Sequence, residues 1–421
     1  MSRKGWLVTF SGMGLNLALG VLYAWSVFGK QLTEAVDKGG FGWTKTASAL
    51  PYSIAIGFFA LMMIPAGRLQ DKFGPRITAS IGAALTGIGL IITGFSSPGS
   101  SLPATIGFGI LAGTGIGFGY ASATPAAVKW FPPEKKGLIA GIVVAGFGLA
   151  SVYIAPLSRY LLGSYGVNKS FVILGIAFGV ITLIITQNIR NPDTPTPSQA
   201  KPKATKTPGT VKKVDYIWSE MLRMPVFYLL WLEFTCGALA GLMIIGHLAK
   251  IVAVQSNNAI QIGFIFVALL AVFNAGGRLI MGMVSDYIGR VKSILIVCIT
   301  QAIMMFLFSH LSTITGFIVG SAVVGFSYGA CLSLFPSTCA DYWGTKNLGL
   351  NYGILFTAYG IGGIVGPILA GRIADSSGNY NMAYVVSAGL MIFAAILTFF
   401  TKAPGEQRVV EREFGVVPVG K

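Results

Sequence analysis

Two charged residues lie deep inside long apolar stretches of this sequence, where charged side chains are rare. They are Arg278, which follows Asn274 by one helical turn, and Glu233 in another stretch. A charge within a membrane-spanning helix is costly, and it usually faces a cavity or a partner of opposite charge. The pattern therefore indicates either an anion-binding Arg278 or a structural ion pair between Arg278 and Glu233. A desolvated Glu233 would also bind a proton more readily.

The composition of the 421-residue chain excludes an ordinary soluble globule, because 54% of the residues are apolar and only 10% are charged. The net charge of +16 does not indicate nucleic-acid binding, because the basic residues lie between apolar blocks. The 4 cysteines and 2 histidines show no ligand spacing, so neither a metal site nor a disulfide framework is predicted. We expect the lipid bilayer to be the main surroundings, with no cofactor.

Twelve apolar blocks are long enough to cross a bilayer, which takes about 20 residues per helix. They lie near residues 5–30, 47–69, 77–95, 103–128, 137–162, 170–188, 225–250, 260–284, 292–311, 314–338, 348–371 and 380–402. The segment between the sixth and seventh blocks is rich in proline and lysine, which favours a flexible linker. We therefore predict an all-α membrane protein with an N-terminal half at 1–188, a linker at 189–224, a C-terminal half at 225–402 and a tail at 403–421.

Basic residues are concentrated in alternate connecting segments, together with the linker and both termini. Because translocated segments are poor in Lys and Arg, this pattern predicts that both termini face the cytoplasm. The first apolar block is longer than the hydrophobic core of a signal peptide, so we expect it to remain as the first helix. The predicted location is the cytoplasmic (inner) membrane of the cell.

The two halves share landmarks at a common offset of about 213 to 215 residues. Residues 67–76, after the second block, match residues 282–290, after the eighth. The region of Trp130, before the fifth block, likewise matches the region of Trp343, before the eleventh. Internal repeats of this kind are typical of secondary transporters, and they predict two pseudo-symmetric six-helix halves.

The segment Gly67–Arg76 resembles the signature loop of the major facilitator superfamily, in which an aspartate and basic residues follow the second helix. A second copy at residues 282–290 strengthens the resemblance. The resemblance implies two halves that rock about a central substrate site. It also implies that the loop charges hold helix ends together on the cytoplasmic side. The residues with this conformational role are Arg68, Asp71, Arg76, Asp286 and Arg290.

The segment Trp130–Gly141 is similar to the start of the fifth helix in the monocarboxylate transporter and oxalate/formate antiporter families, and the likeness covers nearly the whole chain. Asn274 to Arg278 resembles their eighth helix, where an arginine binds the substrate carboxylate. The resemblance implies that this chain is a transporter and not an enzyme, with Arg278 as the main substrate-binding residue. It does not require an oligomer.

Three departures from these families affect the predicted chemistry. Tyr359 stands where the oxalate antiporter has a lysine, so one intramembrane cation is missing. Because each uncompensated buried charge is costly, the single Arg278 favours a monocarboxylate over a dianion. Asn274 stands where animal monocarboxylate transporters have an aspartate thought to take the proton. The acidic residue that the family has before Trp6 is also absent.

Several polar or aromatic residues are expected to line a central cavity, because the resemblance implies that helices 1, 4, 7 and 10 surround it. Tyrosine suits such a site, since its ring shapes an apolar pocket while its hydroxyl bonds a carboxylate or hydroxyl group. Packing or interfacial anchoring is the alternative for each. Besides Arg278 and Asn274, the candidates are Tyr23, Tyr120, Tyr328, Cys331, Phe335 and Tyr359.

Two groups are candidates for carrying a coupled proton. Glu233 is one, and His247, near the outer end of the seventh block, is the other because histidine titrates near neutral pH. An interfacial histidine without this role is the alternative. We expect a carrier that moves a small monocarboxylate such as lactate or pyruvate with a proton by alternating access. The alternative is an anion exchanger of the oxalate/formate type.

Overall fold

The computed structural model describes residues 3–192, 215–260 and 262–404. These residues are almost entirely helical, and they contain no strand beyond an isolated bridge between Ser97 and Ser100. Residues 193–214 of the predicted linker and 405–421 of the predicted tail lie outside the described residues. Eleven described helical stretches are long and apolar enough to cross a membrane.

The first half contains six helices. The bounds are α1 (Arg3–Thr33), α2 (Lys45–Phe73), α3 (Pro75–Thr93), α4 (Leu102–Val128), α5 (136–165) and α6 (167–186). The last two are continuous apart from Gly166, whose φ of 72° and ψ of 179° are not helical. This residue separates one very long apolar stretch into two helices, so twelve helices arise from eleven stretches.

The second half repeats the arrangement. The bounds are α7 (Pro225–Ile245), α8 (Gly263–Ile288), α9 (Arg290–Phe308), α10 (Ile314–Tyr342), α11 (348–377) and α12 (Asn381–Thr398). Short helices at Trp218–Met221 and Leu248–Gln255 flank α7. The expected seventh span of 225–250 is therefore too long, because the chain leaves the helix after Ile245 and a separate helix begins at Leu248.

The local sequence accounts for several helix boundaries. The Thr44 and Thr313 side chains accept hydrogen bonds from the backbone at the starts of α2 and α10, as helix-capping residues do. Gly74 and Gly289 take the same position between α2 and α3 and between α8 and α9, with φ of 91° and 94°. These values lie in a region that favours glycine, which explains why both copies of the repeated loop contain it.

The helices pack closely through glycine, while large apolar side chains cover the outer surface. A Cβ atom added to Gly82 of α3 would lie 2.6 Å from the Gly115 carbonyl oxygen of α4, so only glycine permits this approach. Ile184 of α6 and Phe306 of α9 are exposed, as expected for side chains that face lipid.

The two sides of the membrane are named here by the interhelical turns. The side with the Gly74 and Gly289 turns is called the terminal side, and the opposite side is called the far side.

Candidate functional site

Arg278 lies in the middle of α8 and is almost completely buried, with 1% of its surface exposed. Its Nε donates to Asn274 Oδ1 at 2.8 Å, one turn earlier on the same helix. Its Nη1 donates to the Val144 carbonyl oxygen of α5 at 2.6 Å. Within the described residues the guanidinium has no ion-pair partner, so the possible structural pair with Glu233 does not form. A buried cation with neutral partners is a ready site for an anion.

The α5 helix brings the first half of the molecule against this guanidinium. A Cβ atom at Gly148 would lie 3.3 Å from Arg278 Nε, so the absence of a side chain leaves room for the arginine. The Phe147 ring lies 6.0 Å from the guanidinium carbon. Arg278 belongs to the second half and bonds the first, which places it at the interface between the two halves.

Four of the predicted tyrosines surround Arg278. Tyr23 lies within hydrogen-bonding reach of the guanidinium, at a point where α1 tightens into a 3₁₀ turn over Gly20–Ala24. The Tyr328 hydroxyl donates to the Tyr359 hydroxyl at 3.1 Å. Tyr120, Tyr328 and Tyr359 are all within electrostatic range of Arg278. The structure thus brings together Arg278, Asn274 and tyrosines from α1, α4, α10 and α11.

Three phenylalanines that sequence reasoning did not single out complete an aromatic wall beside these tyrosines. Tyr120 has the rings of Phe59, Phe147 and Phe356 at centroid distances of 5.4, 5.6 and 5.4 Å. Phe356 stacks on Tyr359 at 4.7 Å. These side chains come from α2, α5 and α11. The wall is apolar apart from its hydroxyl groups, so it fits a small ligand with one charged end.

Tyr352 and Tyr52 are two further tyrosines that the sequence did not indicate. Tyr352 is buried in α11 and lies within electrostatic range of Arg278 and Tyr120. Tyr52, from the far-side half of α2, lies within electrostatic range of Tyr23 and Tyr359. The sequence could have indicated these two residues through the presence of tyrosines in helices 2 and 11. Helix 2, however, was not expected to line the cavity.

Cys331 and Phe335 share one face of α10 with Tyr328, as the spacing predicts, but this face packs against α7. Phe335 stacks on Phe234 at 4.3 Å, and the Cys331 sulfur lies 3.0 Å from the position of a Cβ on Gly237. Both side chains are buried in helix packing against α7. The four cysteines are free and buried, as small packing residues are expected to be.

Glu233 is buried in α7, with 1% of its surface exposed, and faces the end of α12. Its Oε1 accepts a hydrogen bond from Thr401 Oγ1 at 2.5 Å. Its Oε2 has no hydrogen-bond partner among the described residues. The adjacent Phe234 points the other way, toward Phe356 and Tyr359. Glu233 is therefore next in sequence to Phe234, which contacts the aromatic wall, but its own side chain lies outside the wall.

His247 lies at the far side, beyond the end of α7. Its Nδ1 is 3.2 Å from the Tyr380 hydroxyl, and its Nε2 is 3.0 Å from the Pro367 carbonyl oxygen. These contacts tie the α7 end to α11 and to the start of α12. The structure therefore places the two proton-carrying candidates at different depths, away from each other and from Arg278.

The repeated aspartates join the two halves at the terminal side. Asp71 accepts from the backbone N–H groups of Gly349 and Leu350 at 3.2 and 2.9 Å, at the start of α11. Asp286 accepts from those of Gly137 and Leu138 at 2.8 and 2.9 Å, at the start of α5. Each carboxylate lies at the positive end of a helix from the opposite half.

An ionic network surrounds Asp286. Arg290 bonds Asp286 at 2.7 Å and Asp341 at 2.8 Å. Lys136, from the first half, bonds Asp341 at 3.3 Å. The sequence pattern missed Lys136 and Asp341, because charges at helix ends look like ordinary loop charges. Together these contacts close the terminal side.

The Asp71 side of the interface carries fewer charges. Lys129 lies 3.9 Å from Asp71, and burial lowers the pKa of the Lys129 amine while Asp71 and Asp215 oppose that shift. Arg68 and Arg76 are exposed at the surface and do not join these buried contacts, so their conformational role stays a prediction.

Comparison with known proteins assigns the chain to a family. The family model of the Major Facilitator Superfamily matches residues 5–256 and 235–420. The oxalate:formate antiporter of Oxalobacter formigenes is 31% identical over 385 residues, which cover 90% of this chain and 87% of the relative. The chain therefore belongs to the Major Facilitator Superfamily, and it is a transporter and not an enzyme.

Other relatives and solved structures agree with this assignment. The transporter YhjX of Escherichia coli is 29% identical over 86% of each chain, and human monocarboxylate transporter 12 is 23% identical over 84% of this chain and 73% of its own. The proton:xylose symporter XylE superposes with a TM-score of 0.71 at 13% identity, covering 97% of this chain and 99% of its own. At this identity the structural likeness shows the fold alone.

Proposed function

We propose that this protein is a secondary active transporter that carries a small monocarboxylate, of the lactate or pyruvate type, by proton symport. The observation that supports this best is Arg278, a buried cation at the interface of the halves with only neutral partners in the described chain. Tyr359, in the place of a second cation, leaves one positive charge for one carboxylate.

In this mechanism the substrate carboxylate takes over donors of Arg278 that now bond Asn274 and Val144. Losing the Val144 contact removes one of the bonds between the second half and α5, while the tyrosine hydroxyls bond the remainder of the ligand. The terminal side, closed here by Asp71 and Asp286, would be the cytoplasmic side, because most basic residues lie there. The halves then rock so that this side opens.

Glu233 is the proposed proton carrier. It is buried, one of its oxygens has no hydrogen-bond partner in the described structure, and a carboxyl in such surroundings favours the protonated form. Its neighbour Phe234 contacts the aromatic wall, so a shift of α7 on protonation would reach the substrate site. His247 bonds neutral groups at the far side, which suits a structural role.

Anion exchange is the second candidate function. The 31% identity to an oxalate:formate antiporter over most of both chains favours it. The two functions differ in the charge the site must neutralise, since an oxalate dianion would leave one negative charge uncompensated beside Arg278.

The test is uptake of radiolabelled L-lactate by purified protein in liposomes, with the Arg278→Gln and Arg278→Lys variants. We expect Arg278→Gln to reduce saturable uptake by at least about 30-fold, because the bound substrate carboxylate would lose its buried positive partner. Arg278→Lys keeps the charge and should retain part of the uptake. Gln301→Leu, a buried polar substitution in α9, is the matched control and should leave uptake unchanged.

Unchanged melting temperatures in detergent would show that the variants fold. Uptake by Arg278→Gln equal to that of the wild type would contradict the proposed role of Arg278.

A further inference from the structure

An apolar groove runs along the lipid-facing surface between α9 and α12. Leu295, Ile299, Ile303 and Phe306 form its α9 wall. They recur every three or four residues and therefore lie on one stripe of the helix. Ile299, Ile303 and Phe306 are exposed, so this stripe lies on the outer surface of the second half.

The opposite wall is formed by α12, where apolar residues again recur every three or four positions. Ile392, Ile396 and Phe399 form this wall, and Ala302 and Ala395 lie at the floor between the helices. The two alanines are the small residues that make the groove concave, since both are nearly buried while the flanking side chains project outward.

The length of the groove indicates what occupies it. From Leu295 to Phe306 the helix rises about 16 Å. One leaflet of the hydrocarbon core is about 15 Å thick. A transmembrane helix would need a contact surface twice as long, with small residues along it for close approach. A narrow apolar groove of this length accommodates one acyl chain.

Both walls lead to a lysine at the terminal side. Lys292 precedes Leu295 by one turn on the α9 stripe, and Lys402 follows Phe399 by three residues at the end of α12. Both lysines are exposed. They lie where the phosphate of a phospholipid would sit if its acyl chain filled the groove.

The lysine on α9 is not a requirement of the fold. Lys292 follows Gly289 by three residues, and the matching position after Gly74 in the first half is Ile77, which is also exposed. The two halves therefore differ at this position, and the second half has a cation at the terminal end of the groove described above.

We propose that this groove binds an anionic phospholipid, with one acyl chain between α9 and α12 and the phosphate on Lys292 and Lys402. Each lysine near an anionic lipid surface favours binding by about fivefold. The site is independent of the substrate transported and of the mechanism of coupling.

The test measures lipid bound per protein by native mass spectrometry, after delipidation and addition of phosphatidylglycerol or phosphatidylcholine. We expect the wild type to retain phosphatidylglycerol in preference to phosphatidylcholine. The Lys292→Gln/Lys402→Gln variant should lose this preference by about an order of magnitude. Arg3→Gln/Lys4→Gln removes two exposed charges from the same side and should retain the preference.

A second variant tests the groove itself. Ala395→Phe fills the floor and should weaken retention of both lipids, while the melting temperature reports whether it folds. Equal retention of the two lipids by the wild type would overturn the proposal. An equal loss of the phosphatidylglycerol preference in the Lys292→Gln/Lys402→Gln and Arg3→Gln/Lys4→Gln variants would also overturn it. Any exposed charge on that side would then suffice.

Discussion

Asn274 orients the guanidinium of Arg278 when no substrate is present. It accepts a hydrogen bond from Nε and orients the guanidinium without neutralising it. The positive charge is therefore not balanced by this neighbour. An aspartate at this position would pair with the arginine and compete with a substrate anion.

Asn274→Asp should therefore weaken substrate binding throughout the accessible pH range. The new carboxylate would pair with Arg278 and raise the KM for L-lactate by about 10-fold or more. Because an adjacent guanidinium favours the ionised form of a carboxyl group, the carboxylate should stay charged from pH 5.5 to 7.5 and the KM should stay high. Initial-rate uptake over this range measures the effect, with Asn274→Ala as the control that adds no charge. A KM for the Asp variant equal to that of the wild type would refute the assignment.

Tyr359→Lys should improve binding of dicarboxylates. The new ammonium group would lie within electrostatic range of Arg278, as the tyrosine hydroxyl does now, and would supply a second positive charge for a dianion. Inhibition of L-lactate uptake by oxalate measures the effect, which we expect to be about 10-fold tighter. Tyr359→Phe removes the hydroxyl without adding a charge and should not improve inhibition. An unchanged inhibition constant for oxalate in the lysine variant would contradict the single-cation account.

Residue types predicted part of this site and missed the rest for a physical reason. Arg278 is conspicuous because a charge inside an apolar helix is costly. Phe59 and Phe147 are not, because apolar side chains occur on every face of a membrane helix and the sequence does not fix which face is inside. The same uncertainty in helix rotation hid the contact between Glu233 and Thr401.

At the scale of elements, the terminal side is closed by four helices that meet in two pairs. The α2 helix packs on α11 through Gly67 and Gly349, and α5 packs on α8 through Gly137 and Gly282. In each pair an aspartate from one half bonds the backbone at a helix start in the other. Opening requires both pairs to separate.

Gly67→Ala should favour opening of the terminal side. The added Cβ would overlap the Gly349 backbone, and overpacking of this kind costs about 1–3 kcal/mol, which only the closed state has to bear. Gly57→Ala, in the same helix, meets only an Ile364 methyl group at 4.0 Å and is the matched control. Distances between spin labels on the terminal ends of α2 and α11 would measure the shift. Equal distance distributions in the two variants would argue against this closure.

Hydropathy predicted the helices better than their ends. Eleven apolar stretches and a glycine break account for the twelve predicted spans, because bilayer thickness sets the length. The break after Ile245 was missed, since Gly246 to Gln255 is apolar enough to continue a helix. The repeat at Gly74 and Gly289 was visible because a positive φ restricts the residue type.

At the scale of the whole molecule, the two halves are joined by Arg278 near the middle and by the aspartate contacts at the terminal side. In the proposed mechanism, a substrate on Arg278 would compete with the Val144 contact between the halves. Binding at the centre would thereby be linked to release of the interface, which is the coupling that alternating access requires. The proton on Glu233 would make the loaded carrier neutral for the transport step, and the empty carrier would then return without substrate.

The coupling test in liposomes is the most direct measurement of this account. Radiolabelled L-lactate uptake would be followed with and without an inward proton gradient, in vesicles that contain either buffer alone or oxalate or formate. We predict accumulation that follows the gradient, is abolished by a protonophore and needs no internal anion. Uptake that ignores the gradient and occurs only with internal oxalate or formate would contradict proton symport and establish an exchanger.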